Sequence, residues 1–311
     1  MFSLEQISSA SATDFSFLAP PDLVDELEGI DTTANVYAIG ATVILIQPAG
    51  LILVRAVPEE AVARVLLLNV VKDRRRLGIG TALLEAAEAL LAGKNIESLE
   101  LRYQKAPVSD KLPIEFLLEK SVWTEPEEEM LLMTVDHRIF DADWLKSCSL
   151  PSAHEIFPWS ELRQAEKEWL IESNEKRPWY PRHVSPFKHG EEYEPMTSFG
   201  LRSHGKVAGW IMTRRLSEDT MSYESLFIRR ELQSSGCAVA LLGQAIRGTL
   251  DVGGVRQGIF GLDPKNLPAR AFFERACGEF VSEIKGQYRS GKLVGKGAFR
   301  REPGILREEV M

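Results

Sequence analysis

Three consecutive arginines, Arg74, Arg75 and Arg76, stand just before two glycines one residue apart, Gly78 and Gly80, in DRRRLGIGTALLEAAEALL, residues 73–91. The alanine- and leucine-rich run that follows reads as a helix, so cations and bare backbone meet where that helix begins. A helix start leaves backbone N–H groups unpaired and carries about half a positive charge. Glycines there let the oxygens of a phosphate reach the backbone, and anion binding is the chemistry this pattern offers. The same glycines also suit a plain strand-to-helix turn with the arginines as a solvated face.

The elements around the turn follow from hydrophobic period. ARVLLLNVV is a short β-branched and leucine-rich run, as in a strand covered on both faces. After the turn, Leu83, Leu84, Ala87, Leu90 and Leu91 share one helical face, Gly93 supplies a stop, and IESLELRY begins another strand. The plan repeats at an offset of 158 residues, where LFIRRELQSSGCAVALL aligns with LNVVKDRRRLGIGTALL. Leu68 pairs with Leu226, Val70 with Ile228, Arg75 with Gln233, Gly78 with Gly236, and Gly80 with Ala238. PARAFFERACGEF then faces PIEFLLEKSVW at an offset of 155, and two matches in one order indicate an internal duplication.

Serines and a proline in KSCSLPSAHE, residues 146–155, place the expected boundary there, giving domains 1–148 and 149–311. The first domain reads as abbreviated, short of its opening helices. The second carries a helical stretch, WSELRQAEKEWLIESNEK, and the strands TSFGLRS and VAGWIMTRRL joined by a tight HGK turn.

The 311 residues suit two domains, and 44% hydrophobic with 26% charged residues is the balance of a soluble globular chain. A formal charge of −8 argues against general nucleic-acid binding, so an anionic ligand must be small and locally held. Cys148, Cys237 and Cys277 are too few and too dispersed for a disulfide framework or a metal site. The amino terminus has neither the basic start nor the apolar stretch of a signal peptide, and no apolar run approaches membrane-spanning length. A cytoplasmic protein is expected.

Two nucleotide motifs fit poorly. A P-loop needs Lys-Ser or Lys-Thr after the glycines, and a dinucleotide fingerprint needs its third glycine at Leu83, with only Glu100 at a suitable distance for a ribose. LNVVKDRRRLGIGTALL instead resembles motif A of the GNAT superfamily of N-acetyltransferases, Arg/Gln-x-x-Gly-x-Gly/Ala after a Leu-x-Val strand. Arg75, Gly78 and Gly80 match in the first half, Gln233, Gly236 and Ala238 in the second, and NLPARAFFERA resembles motif B. The resemblance covers about residues 36–135 and 153–285.

It implies an α/β fold of α+β type: two GNAT domains, each a mixed, mainly antiparallel sheet flanked by helices. It implies acetyl-CoA as co-substrate and no metal. The loop amides would hold its pyrophosphate, at Arg75, Arg76, Leu77, Gly78, Ile79, Gly80 and Thr81, and at Gln233, Ser234, Ser235, Gly236, Cys237 and Ala238. The acyl-pantetheine arm would lie along Val70 in one half and along Leu226 and Ile228 in the other. Asn266 would either contact the arm or cap a helix.

Acyl transfer to an amine needs a base, because an alkylamine of pKa near 10.4 is almost fully protonated at pH 7, whereas a thiol of pKa near 8.5 leaves readily. The family's glutamate, nine residues before the motif's Arg/Gln, corresponds to Glu224 in the second half and to Leu66 in the first, and Glu224 could equally be a plain solvated strand carboxylate. The family's acid, a tyrosine in motif B, is replaced by Phe273 and Leu118, leaving Tyr223 or Tyr288 as substitutes. The function implied is N-acetyl transfer to an unidentified small-molecule or exposed peptide amine, with the chemistry in the second half; the alternative is a non-catalytic acetyl-CoA sensor or interaction protein.

The long loop KRPWYPRHVSPFKHGEEYEP, residues 176–195, lies where such domains shape an acceptor pocket. Trp179, Tyr180 and Tyr193 could wall it, with Glu191 and Glu192 attracting a cation, or the aromatics could seal an interface. His183 and His189 lack metal-ligand company. A monomer with pseudo-dimeric domains is expected.

Overall fold

The computed structural model describes residues 2–43, 47–150, 153–188 and 192–294. Its elements in the first half are β1 (Phe2–Gln6), α1 (Ser9–Phe15), α2 (Pro21–Glu28), β2 (Val36–Val43), β3 (Gln47–Val57), β4 (Val62–Val70), α3 (Ile79–Leu91), β5 (Ser98–Lys105), α4 (Pro113–Lys120) and β6 (Glu127–Asp136). Then come α5 (Asp143–Ser147), β7 (His154–Pro158), α6 (Gln164–Lys176), β8 (Phe199–Ser203), β9 (Lys206–Arg215), β10 (Thr220–Ile228), α7 (Cys237–Val252), β11 (Gln257–Leu262), α8 (Leu267–Cys277) and β12 (Val281–Leu293).

The chain forms two compact units, one of the described residues up to Glu129 together with those from Gln287 onward, the other Met130–Gly286. This differs from the division at 148/149. Residues 131–136 of β6 pair with β11 inside the second unit, and the tail of β12 lies with the first, where Gly291 O accepts from Thr124 N–H. Hydrogen-bonded strands group residues by ladder, and neither strand ends at the serine- and proline-rich stretch. The first half is also fuller than its sequence suggested, because α1 and α2 are present as helices of 7 and 8 residues, too short for a clear hydrophobic period.

In the first unit the strands run β1-β2-β3-β4-β5, antiparallel except for parallel β4–β5. In the second they run β7-β8-β9-β10-β11, antiparallel except for parallel β10–β11, with β6 antiparallel beyond β11. The HGK turn is a two-residue hairpin loop with His204 and Gly205 both at positive φ, the geometry that matches strand twist.

Each sheet is covered on two faces. In the first unit α3 buries Leu83, Leu84, Ala87 and Leu91 against one face, and α1 and α2 bring Phe15 and Leu27 to a second apolar layer with Leu51 and Leu53. In the second unit α7 buries Leu241, Leu242, Ala245 and Ile246 on one face. On the other, Trp210 is fully buried among Tyr180, Phe227 and Leu170 of the layer that contains α6. Arg202, also buried, makes a two-pronged bond to Glu166 at 2.8 and 3.0 Å and lies 3.5 Å over the Phe157 ring.

Candidate active site

Two strands in each unit part at a matching place. Parallel pairing of β4 with β5 ends at Val65 and Leu101, although β4 runs on to Val70 and β5 to Lys105. Pairing of β10 with β11 ends at Tyr223 and Phe260, although β10 runs on to Ile228. Beyond these points β10 stays bonded to β9, so its other edge faces an open wedge.

A β-bulge marks each parting point. Tyr223 faces Thr213 and Ser225 faces Met212, which leaves Glu224 unopposed; Val65 faces Val54 and Leu67 faces Leu53, which leaves Leu66 unopposed. A bulge of this kind turns two successive side chains to one face and then restores alternation. Tyr223, Leu226 and Ile228 accordingly pack toward α7, Glu224 and Ser225 line a recess on the other face, and Phe227 joins the Trp210 layer. In the first unit Val65, Leu68 and Val70 pack toward α3, while Leu66 and Leu67 pack under α1 and α2.

The turns after the strands also match. Each begins with a 3-10 turn, Lys72–Arg74 or Arg230–Leu232, then a residue in the left-handed region, Arg76 (φ 64°) or Ser234 (φ 68°). Gly78 (φ 84°) and Gly236 (φ 87°) then cap α3 and α7. Arg75 Nε donates to Val70 O at 2.8 Å, and Gln233 Nε2 donates to Ile228 O at 3.3 Å. These two side chains brace the turn onto the strand end. The first helical bonds, Ala82 N–H to Gly78 O and Ala240 N–H to Gly236 O, are both 3.0 Å. The amides of Ile79, Gly80 and Thr81, and of Ala238 and Val239, therefore precede the regular ladder and are suited to an anion; Cys237 N–H has Ser235 Oγ at 3.5 Å. Ile79 and Cys237 bury their side chains in the core, while Leu77, Gly78, Ser234, Ser235 and Gly236 are exposed. Val70, Leu226 and Ile228 turn their side chains to the helices, so backbone is what they offer the wedge.

Chain 155–278, like 4–107, matches the model of the acetyltransferase (GNAT) family. The chain belongs to the GNAT family. Its fold is similar to that of a tandem GNAT protein from the clavulanic acid biosynthesis pathway (TM-score 0.66, 16% identity, 96% of this chain and 100% of that one). It is equally similar to a GCN5-related N-acetyltransferase from Sphaerobacter thermophilus (0.67, 17%, 96% and 98%). No curated protein matches the GNAT chain in sequence.

In this tandem GNAT protein the recess beside Glu224 lies in the second unit. It is a shallow recess lined by Glu224, Ser225, Thr213 and Met212 below and by His183, Ser185, Lys188, Glu192 and Tyr193 of the long loop. Arg214 Nη2 lies 3.3 Å from Glu224 Oε1, and the Glu224 side chain is 18% exposed. The loop is pinned from both sides: Asn174 Oδ1 accepts from the amides of Trp179 and Tyr180, and Trp210 Nε1 donates to Val184 O at 2.8 Å. Tyr193 and Glu192 thus stand at the recess. Trp179 and Tyr180 instead pack around Trp210 and Phe227, with Tyr180 4.9 Å from Trp210. Glu191 and His189 lie outside the described residues.

Three of the expected residues, Tyr223, Asn266 and Tyr288, have partners within the fold. Tyr223 is on the α7 face, opposite Glu224, stacked on Phe260 at 4.3 Å. Its hydroxyl meets Thr249 Oγ1 at 3.1 Å, and since Thr249 donates to Ala245 O, the tyrosine proton is committed to Thr249. Burial pushes this phenol above its ordinary pKa, and Tyr223, expected as a substitute acid, packs in the core and does not line the recess with Glu224. Asn266 caps α8, accepting from Ala269 N–H at 3.1 Å. Tyr288 belongs to the first unit, stacked on Tyr103 at 5.5 Å.

Sequence reasoning missed Ser225, Thr213, Ser185 and Lys188. The signal available was the pair Glu224-Ser225 against Leu66-Leu67, two polar residues where the other copy has two leucines, but strict strand alternation hides that both face one way.

Proposed function

We propose that the protein transfers an acetyl group from acetyl-CoA to an amine in its second unit, with Glu224 as base. What supports this most is the placement of Glu224, a carboxylate at the bulge where β10 leaves β11, on a strand that runs directly into a helix start with open amides. Acetyl-CoA would lay its pyrophosphate on the amides around Ala238 and its pantetheine arm in the wedge beside Leu226–Ile228.

The acceptor enters as an ammonium. Glu224, directly or through water, takes one proton; the nitrogen lone pair forms the N–C bond, and the C–S bond breaks with its electron pair leaving on sulfur. The second nitrogen proton goes to solvent, and the thiolate picks one up. A thiol leaves readily near neutral pH, so transfer proceeds without the family's tyrosine, whose place is taken by Phe273. The first unit keeps the turn and wedge but presents Leu66, and it binds acetyl-CoA without turnover or supports the second unit.

A non-catalytic acetyl-CoA sensor is the second reading, favoured by the commitment of Tyr223 to Thr249. Incubation with acetyl-CoA and a mixed amine panel separates the two: an enzyme releases CoA faster than the buffer blank, and a sensor does not.

A further inference from the structure

The hydroxyl of Ser225 is a buried polar atom with no hydrogen-bond partner among the described residues, and the residue is 8% exposed. Such atoms are rare, because nearly all buried polar groups in folded proteins are paired. The neighbouring hydroxyls show what a satisfied set looks like: Thr197 and Thr213 share a bond of 2.5 Å, and Ser198 meets Thr213 at 3.1 Å. Ser225 lies beside that set, at the floor of the recess, next to Glu224. The bulge is the cause, since it turns residues 224 and 225 to the same face. Leu67 holds the equivalent place in the first unit, inside an apolar layer where no orphan arises.

We propose that Ser225 positions the acceptor by accepting a hydrogen bond from its attacking nitrogen. This rests on acyl transfer at Glu224. Once Glu224 has taken one proton, a primary amine keeps two N–H groups and a lone pair. The lone pair must face the thioester carbon, where the N–C bond forms as the C–S pair leaves with sulfur. One N–H points toward the Glu224 side and the other toward Ser225 Oγ. Two fixed N–H directions fix the third, so the serine aims the lone pair. The acceptor class that satisfies both groups is a primary amine; an N-methyl amine has one N–H fewer and leaves Ser225 unpaired.

The test measures CoA release from acetyl-CoA with L-lysine, glucosamine, spermidine, tyramine and benzylamine, and with the N-methyl derivative of each one turned over. The expected kcat/KM favours the primary amine by about 10²-fold or more. Ser225→Ala should reduce that preference to less than about tenfold, by loss on the primary amine, with an unfolding midpoint unchanged or higher because an orphaned hydroxyl has been removed. Ser225→Thr, which keeps the hydroxyl, should restore the preference. An unaltered preference in Ser225→Ala while Glu224→Gln still stops release overturns the role of Ser225 alone. No release above blank with any amine overturns acyl transfer and this role together.

Discussion

Leu66 and Glu224 occupy the same bulge in two copies of one strand, 158 residues apart, each left unopposed where its strand leaves its parallel neighbour. The backbone device is shared, and the side chain differs. What surrounds each side chain follows suit, with Leu66 under α1 and α2 in an apolar layer and Glu224 in a recess beside Arg214. Restoring the carboxylate in the first unit should therefore not restore a site. Leu66→Glu is expected to cost about 2 kcal/mol or more by placing a charge in an apolar layer, and to add no CoA release. Thermal unfolding and the amine-panel assay check both halves of that outcome.

Gly78 and Gly236 have open space where a Cβ would stand, so only backbone conformation opposes a side chain there. At φ of 84° and 87°, alanine should cost about 1 kcal/mol at either position, the left-handed penalty less the entropy regained in the unfolded chain. Denaturant midpoints of Gly78→Ala and Gly236→Ala, with calorimetric titration of acetyl-CoA on each, would also show which turn holds the ligand.

Tyr223→Phe removes a hydroxyl bonded to Thr249 and leaves the ring stack on Phe260. The expected loss is about 1 kcal/mol of stability, with turnover kept within about threefold of the parent protein. A hundredfold loss in kcat would return this tyrosine to the chemistry.

The turn, the helix behind it and the duplication were legible in the sequence because glycine at positive φ, helical period and a fixed offset are local signals. The bulges were not, since a run such as VLLLNV reads as continuous strand whichever face each leucine takes. Tyr223 looked available for chemistry for the same reason: it neighbours Glu224 in sequence, and only the bulge and the face it selects separate them. Arg202 with Glu166, 36 residues apart, had no sequence signature at all.

That pair sets an acid limb to stability. The hydrogen bonds from Arg202 hold the Glu166 carboxyl below its ordinary pKa. A depressed folded-state pKa adds stability that is complete above the unfolded value, near 4.3, and is lost as pH falls through the folded value. Glu166→Gln should flatten the decline in the unfolding midpoint below about pH 5. Arg202→Met should cost about 3–5 kcal/mol at pH 7 by stranding the carboxylate.

The decisive comparison is the rate of CoA release by Glu224→Gln against the parent protein, at saturating acetyl-CoA and with the best amine of the panel, alongside calorimetric binding of acetyl-CoA to both. Loss of a placed base should lower kcat by about 10²–10⁴-fold with acetyl-CoA affinity unchanged. An unaltered rate in Glu224→Gln would move the chemistry away from the bulge and contradict the assignment of the second unit's recess as the active site.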